Sequence, residues 1–188
     1  MAIGRHAYRE IVSFTILPMV RLESVLNSWR TVRQDAAQAV EEFPAGELDF
    51  KPTPEVDSFR QIAIHILNAG NGLSGMLLDG EEMLSGPEFR EKIKKHFSSI
   101  PPDADGATIA AELRAAIEPK IAELARQSPE WYAQIVTRVD GQKVTRLEML
   151  QFVKEHELTH RSQLFMYLRL KGVVPATTRR RLAKQAAK

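Results

Sequence analysis

The chain has no cysteine among its 188 residues. It can therefore form neither a disulfide bond nor a thiolate zinc site, so any metal must be bound by imidazole, carboxylate or water. Long apolar runs are missing as well. The stretch Ile11–Val20 is too short to span a bilayer, and Glu10 interrupts the basic region that a secretory signal would need. We therefore expect a cytoplasmic protein with no membrane partner.

The sequence has a clear excess of one charge only at its C-terminus. Residues 176–188 carry five basic residues and no acid, whereas the other 21 basic residues face 24 acidic ones in residues 1–175. A slightly acidic body does not indicate a nucleic-acid binder. The basic tail is typical of a disordered terminus, with nucleic acid or an acidic surface as the alternative partner. Length and a hydrophobic content of 44% predict one domain over residues 1–175, followed by this tail.

Four segments repeat apolar residues at steps of three, four or seven positions, a pattern that predicts amphipathic helices. They cover residues 18–43, 58–80, 108 to about 124, and 145–172. The second and fourth segments begin with capping boxes, Ser58 with Gln61 and Thr145 with Glu148. Four such helices bury their apolar faces most economically as a four-helix bundle, so we predict an all-α fold.

The connections between these helices carry three further signals. Residues 87–97 predict a short charged helix, and Pro119 predicts a kink or break in the third long helix. The segment Ala133–Val144 has β-branched residues around an Asp140-Gly141 turn. It predicts a small β-hairpin before the last helix.

The best clue to chemistry is the histidine pair His156 and His160, four residues apart in the last predicted helix. This spacing places both rings on one stripe, where their nitrogens can bind a single metal ion. His65 lies in the second helix, which could face the pair. Three ligands with an open side are typical of a working metal site rather than a closed structural one.

Spacing alone also allows the histidines to be ordinary surface or core residues with no metal. The pair can be partly exposed helix surface, and a single histidine on an apolar face, such as His65, is often a core residue that is satisfied by hydrogen bonds. His6 precedes the first helix and His96 lies among cations, so we expect both to be solvated. Gln163 and Tyr167 follow His160 at helical spacing and are candidate pocket residues.

The residues His156-Glu157-Leu-Thr-His160 also match the zinc-peptidase pattern His-Glu-x-x-His, in which Glu157 would be the general base. Glu155 is rotated by about 100° from His156, so it could only support the ligands from behind. The sequence contains no glycine-rich phosphate loop and no nucleophile-elbow motif. A peptidase is therefore a formal alternative.

The last helix resembles the closing helix of the DinB/YfiT-like family. It has His-x-x-x-His-Arg-x-Gln-Leu over residues 156–164, then Tyr-Leu-Arg over 167–169, followed by Gly172 and Pro175. The segment Ser58–His65 resembles the second-helix motif of that family. Helix order agrees from about residue 18 to residue 175.

The resemblance implies a four-helix bundle, homodimers, and a divalent ion such as zinc or nickel on His65, His156 and His160. Characterised members include thiol-dependent transferases and isomerases. The leading hypothesis is a metal-dependent transferase or hydrolase that activates water or a low-molecular-weight thiol toward a small-molecule substrate. The alternative is a non-catalytic, metal-stabilised, stress-related dimer.

Overall fold

The structure is a computed structural model that describes residues 20–187. Those residues form seven helices and two short strands. In chain order they are α1 Leu22–Glu42, α2 Phe59–Leu78, α3 Phe89–Lys94, α4 Gly106–Leu124, α5 Pro129–Ala133, β1 Ile135–Thr137, β2 Lys143–Thr145, α6 Arg146–Leu170 and α7 Ala176–Ala186. The predicted start of the first helix at Pro18, and His6, lie outside the described residues. None of the described helices is both long and apolar enough to cross a membrane.

The four long helices α1, α2, α4 and α6 form the predicted bundle. Each packs against two neighbours, α1 and α2 both lying between α4 and α6. Consecutive helices α1 and α2 therefore occupy opposite corners of the bundle. The C-terminal half of α1 shares its apolar cluster with the N-terminal half of α2 and the C-terminal half of α6. Consequently α1 runs parallel to α6 and antiparallel to α2.

The bundle core consists of two apolar clusters, one toward each end. One contains Val40, Phe59 and Leu164, and the other contains Trp29, Met76 and Val153. Between them, at the middle of the bundle, lie charged side chains from α1 and α6. We call the pair formed there by Arg33 and Glu157 the central ion pair.

Local signals in the sequence correctly place several helix and strand ends. Both capping boxes are present, at Ser58 and at Thr145, and each satisfies backbone N–H groups that a helix start leaves free. The predicted hairpin is also confirmed: β1 pairs with β2 antiparallel, with Val136 opposite Val144. Gly141 has φ of +81°, which suits glycine in the turn that joins the strands.

Pro119 does not break α4, so the prediction of a break there is wrong, whereas the kink stays a prediction. The helix continues from Gly106 to Leu124 through the proline. Pro119 and Ala115, whose carbonyl loses its helical partner, both lie on the exposed face. Water can therefore bind the freed carbonyl oxygen, while Ile117 and Ile121 stay buried on the other face.

The basic tail also differs from the disordered segment that its composition predicted, because residues 176–186 form helix α7. Arg179 contacts Glu42, and Arg180 donates to Asp35 at 2.6 Å and to Gln38 at 3.1 Å. These acids belong to α1. The tail contains no acid of its own, and acids on a helix more than 130 residues away in the sequence pair with its arginines.

Candidate metal centre

The three predicted histidines come together on one side of the bundle. His65 projects from α2, and His156 and His160 project from adjacent turns of α6. Nε2 of His156 lies 3.3 Å from Nε2 of His65 and 3.2 Å from Nε2 of His160. The three possible ligand atoms all lie within 4.8 Å of one another. His65 is exposed and the other two rings are half-buried, so the cluster is open to solvent on one side.

The spacing of these nitrogens fits a metal ion. Imidazole nitrogens bind zinc at about 2.0–2.1 Å, so two of them in a tetrahedral site lie roughly 3.3–3.4 Å apart. Two of the observed separations, 3.3 and 3.2 Å, are close to this value. A neutral imidazole has one N–H, so Nε2 of His156 can donate to only one of its two neighbours. A cation can accept lone pairs from all three.

Gln163 holds the His160 ring in a defined orientation. Its Oε1 lies 2.7 Å from Nδ1 of His160. Because an amide oxygen accepts hydrogen bonds, Nδ1 carries the proton, and Nε2 presents its lone pair to the other two rings. Polar partners of this kind commonly orient histidine ligands of metals. Gln163, one of the two candidate pocket residues, therefore contacts the cluster through His160.

The surroundings favour the neutral imidazoles that a metal needs. Burial lowers the pKa of His156 to about 4, and protons on His160 and His65 would lower it further. His65 is exposed as a residue, but partial desolvation of its ring lowers its pKa, again with His160 contributing, whereas Asp57 acts in the opposite direction. Near neutral pH both rings are therefore free of extra protons.

Glu157 is not available as the general base of a peptidase. Its side chain is fully buried, and its carboxylate accepts from Nε of Arg33 at 2.9 Å and from Nη2 of the same arginine. It points into the bundle, away from the open side of the histidine cluster. The His-Glu-x-x-His match is therefore coincidental in its chemistry, since its acid is bound in the central ion pair.

Gly70, on α2, leaves the space that this ion pair occupies. A Cβ atom at Gly70 would overlap Oε1 of Glu157 and Nη2 of Arg33. The pair thus connects α1 with α6 while lying directly against the backbone of α2. Since Glu157 follows His156 in the chain, the same contact sets the position of α6 relative to α2, which carries His65.

Other candidate residues lie away from the cluster. Tyr167 is buried in the core, and its hydroxyl donates to the backbone oxygen of Asp57 at 2.9 Å. Glu155 accepts from Gln151 at 2.7 Å on the exposed surface. His96, expected to be solvated, instead packs against Gly75 and is only 17% exposed, with Nε2 at 2.9 Å from Asp79.

Sequence reasoning missed Arg33 and Asn68, and it placed Gln61 only in the capping box of α2. Arg33 gave a usable signal, because a cation spaced four residues from Trp29 and seven from Val40 lies on a buried helical face and needs a buried acid. Gln61 and Asn68 share a stripe of α2 with His65, four and three residues away. They line a pocket beside it.

A bundle with an open three-histidine cluster defines the class of protein, and comparison with known proteins identifies the family. The sequence profile of the DinB family matches residues 19–187. The chain belongs to this family. No curated protein matches the chain.

Solved structures show the same fold at low sequence identity. YfiT from Bacillus subtilis, described as a probable metal-dependent hydrolase with an unusual four-helix bundle topology, has a TM-score of 0.65 and 19% identity, over 91% of this chain and 96% of that one. A DinB-like protein, YjoA, also from Bacillus subtilis, has a TM-score of 0.60 and 21% identity, over 79% of this chain and 92% of that one. A mycothiol-dependent maleylpyruvate isomerase has a TM-score of 0.57 and 15% identity, over 77% of this chain and 61% of that one.

Proposed function

We propose that the protein is a metal-dependent enzyme of the hydrolase or transferase type. In this proposal His65, His156 and His160 bind a divalent cation, zinc or nickel, through their Nε2 atoms. The observation that carries the proposal is the separation of those atoms, 3.2 Å between His156 and His160 on α6 and 3.3 Å between His156 and His65 on α2. The description of YfiT as a probable metal-dependent hydrolase supports the same assignment.

The open side of the cluster supports a catalytic rather than a closed structural site. A divalent cation with an open coordination position lowers the pKa of a water or thiol placed there, so that the nucleophile forms near neutral pH. The protein supplies the orientation: Gln163 fixes the His160 ring, and the central ion pair holds α6 in position.

A thiol used in the reaction would have to come from outside this sequence, which has no cysteine, and a low-molecular-weight thiol is the form we propose. The mycothiol-dependent isomerase with the same fold supports a thiol substrate as one form of the reaction. A homodimer, a cytoplasmic location and the absence of a nucleic-acid partner stay predictions from the sequence.

A non-catalytic role for the metal is the second candidate, and one observation favours it. Both glutamates that flank His156 are engaged elsewhere, Glu155 by Gln151 and Glu157 by Arg33. In that case the ion would stabilise the bundle without any turnover. Metal binding would then raise the melting temperature but produce no activity. Turnover by the metal-loaded protein separates the candidates, since only an enzyme would show it.

Metal binding is tested by calorimetry on protein treated with a chelator and titrated with Zn²⁺ or Ni²⁺. We expect one ion per chain for the wild type and none for the variant with His65, His156 and His160 all replaced by alanine. His96→Ala is the matched control, because it removes a histidine outside the cluster. Equal uptake by the triple variant and the wild type would show that the ion binds elsewhere.

Activity is tested afterwards on the metal-loaded protein. Small thiols with electrophiles, and uncharged esters with water, cover the two reaction types. We expect turnover that disappears in His160→Ala and persists in His96→Ala. Turnover that survives in His160→Ala would contradict catalysis at this centre.

A further inference from the structure

The pocket beside His65 has a chemical character that the metal centre alone does not explain. It has a volume of about 370 Å³ and lies between α2 and the segment that joins α3 to α4. Ile64 and Ala69 on α2 face Ile93, Phe97 and Ile100 across it. Phe97 is 39% exposed, although it is a large apolar side chain. A pocket of this size suits a small molecule with an apolar body.

The wall opposite α2 is held close to that helix. A Cβ atom at Gly72 would overlap Ile93 and lie 3.2 Å from Cε1 of Phe97. The glycine therefore lets the two side chains approach the α2 backbone. Asn68 fixes the next part of this wall by accepting from the backbone N–H of Ser98 at 3.0 Å. The pocket is thus a built feature of the fold.

Two amide side chains on the α2 stripe give the pocket its polarity. Gln61 and Asn68 lie on either side of His65, about 10 Å apart along the helix axis. Oε1 of Gln61 accepts from the backbone N–H of Ser58 at 2.8 Å, and Oδ1 of Asn68 accepts from Ser98. Both oxygens are therefore occupied. Within residues 20–187 neither amide nitrogen has a hydrogen-bond partner in the fold, so the stripe offers N–H donors beside the histidine.

The pocket offers these donors without a fixed charge. None of its lining residues is a lysine, arginine, aspartate or glutamate. Arg60, next to Gln61 in the chain, is engaged by the carboxylate of Asp49 at 2.9 and 3.1 Å and by the carbonyl of Asp103 at 2.8 Å. The lining itself therefore supplies no side-chain counter-charge for an ionic group, and an anion could gain one only from a cation bound at His65.

We propose that this pocket binds the uncharged, apolar carbonyl part of the substrate, whose oxygen accepts from the amide nitrogen of Gln61 or Asn68. The substrate class is therefore an ester, amide, thioester or ketone whose alkyl or aryl body is apolar and uncharged. This inference rests on the proposed function in placing the reactive carbon beside His65. The binding step itself requires only the pocket.

Two isosteric probes isolate the carbonyl. Acetophenone and α-methylstyrene have nearly the same shape, but only the ketone has an acceptor oxygen. Binding to the wild type is followed by NMR on the labelled δ-methyl groups of Ile64, Ile93 and Ile100. We expect both probes to shift these methyl groups, with acetophenone binding about fivefold more tightly, the factor that one typical hydrogen bond supplies.

The double variant Gln61→Glu with Asn68→Asp tests the donors without removing the structural contacts. Each new carboxylate can still accept from Ser58 or Ser98, but it replaces the donor nitrogen with an acceptor oxygen. We expect the preference for acetophenone to disappear and the benzamidinium cation to gain affinity. The control, Asn27→Asp with Gln185→Glu, makes the same chemical changes on α1 and α7 and should keep the preference.

A second variant tests the location. Ile100→Trp fills the pocket and should abolish binding of both probes, whereas Leu147→Trp, which alters an apolar hollow beside Tyr132, should not. Equal affinity of the wild type for the two probes, or no shift at the three isoleucines, would overturn the inference. Zinc titration of the same samples separates the failures: zinc binding without ketone preference overturns only the pocket assignment, and the reverse overturns only the metal centre.

Discussion

Replacement of Gly70 by alanine is the sharpest test of how the fold positions the candidate site. The substitution adds one methyl group to the interior of α2, where alanine normally stabilises a helix by about 1 kcal/mol relative to glycine. At Gly70 the added Cβ would overlap Glu157 and Arg33. Both side chains are 0% exposed and have no space into which they can move freely. The central ion pair must therefore separate, or α2 must shift.

The expected magnitude follows from the cost of a broken buried pair. Removing one partner from such a pair typically destabilises a protein by about 3–5 kcal/mol, because the other charge is left without compensation. Nη1 of Arg33 already lacks a hydrogen-bond partner among the described residues. No other group there is therefore in place to stabilise the guanidinium if it separates from Glu157. After the helical gain is subtracted, we expect the free energy of unfolding to fall by about 2–4 kcal/mol. For a chain of this size the melting temperature would fall by roughly 4–16 °C.

Urea unfolding followed by circular dichroism measures this difference. Gly106→Ala is the matched control, because Gly106 is also helical and the nearest atom to its new Cβ, the backbone oxygen of Val40, lies at 3.4 Å. We expect that control to change the free energy of unfolding by less than about 1 kcal/mol. If Gly70→Ala proves as stable as Gly106→Ala, the ion pair is not packed against α2, and the argument that it positions the histidines fails.

Two further predictions concern the stability of the metal-free protein, through the pKa of His156 and through the N-cap of α6. The pKa of His156 is lowered to about 4 in the fold, so the unfolded chain binds more protons below pH 6.5. The contribution of His156 to the free energy of unfolding of metal-free protein, taken as the difference between wild type and His156→Gln, should therefore fall between pH 6.5 and 4 and level off below. Denaturant titrations in which the two proteins show the same slope over that range would contradict this. Thr145→Ala removes the side-chain oxygen that caps α6 and should cost about 1 kcal/mol in urea unfolding, whereas Thr53→Ala, in a loop, should not. Equal losses in the two threonine variants would contradict the role of the cap.

The parts of the fold that were predictable from sequence depend on neighbours in the chain. The capping boxes at Ser58 and Thr145, the Asp140-Gly141 turn and the shared stripe of His156 and His160 all follow from geometry within one or two turns. His65 is different. Spacing alone does not relate it to residues 91 positions away, and the resemblance to a known family supplied that link.

The misjudged features depend on residues that are distant in the chain. The tail appeared unable to order itself because its composition lacks acids, yet Glu42 and Asp35 on α1 supply them. The break predicted at Pro119 does not occur, because the carbonyl of Ala115, which loses its helical partner, faces solvent. In both cases the local rule was sound, and the tertiary environment changed the balance of free energy.

Glu157 shows why a motif acquires chemical meaning only in three dimensions. By its letters it is the general base of a peptidase, one residue from a candidate metal ligand. Neighbouring residues on a helix project about 100° apart, so a helix that directs His156 outward directs Glu157 toward the bundle interior. There a buried carboxylate requires a buried cation, and Arg33 provides it from 124 residues away. The glutamate that would activate water in one fold therefore fixes the position of a helix in this one.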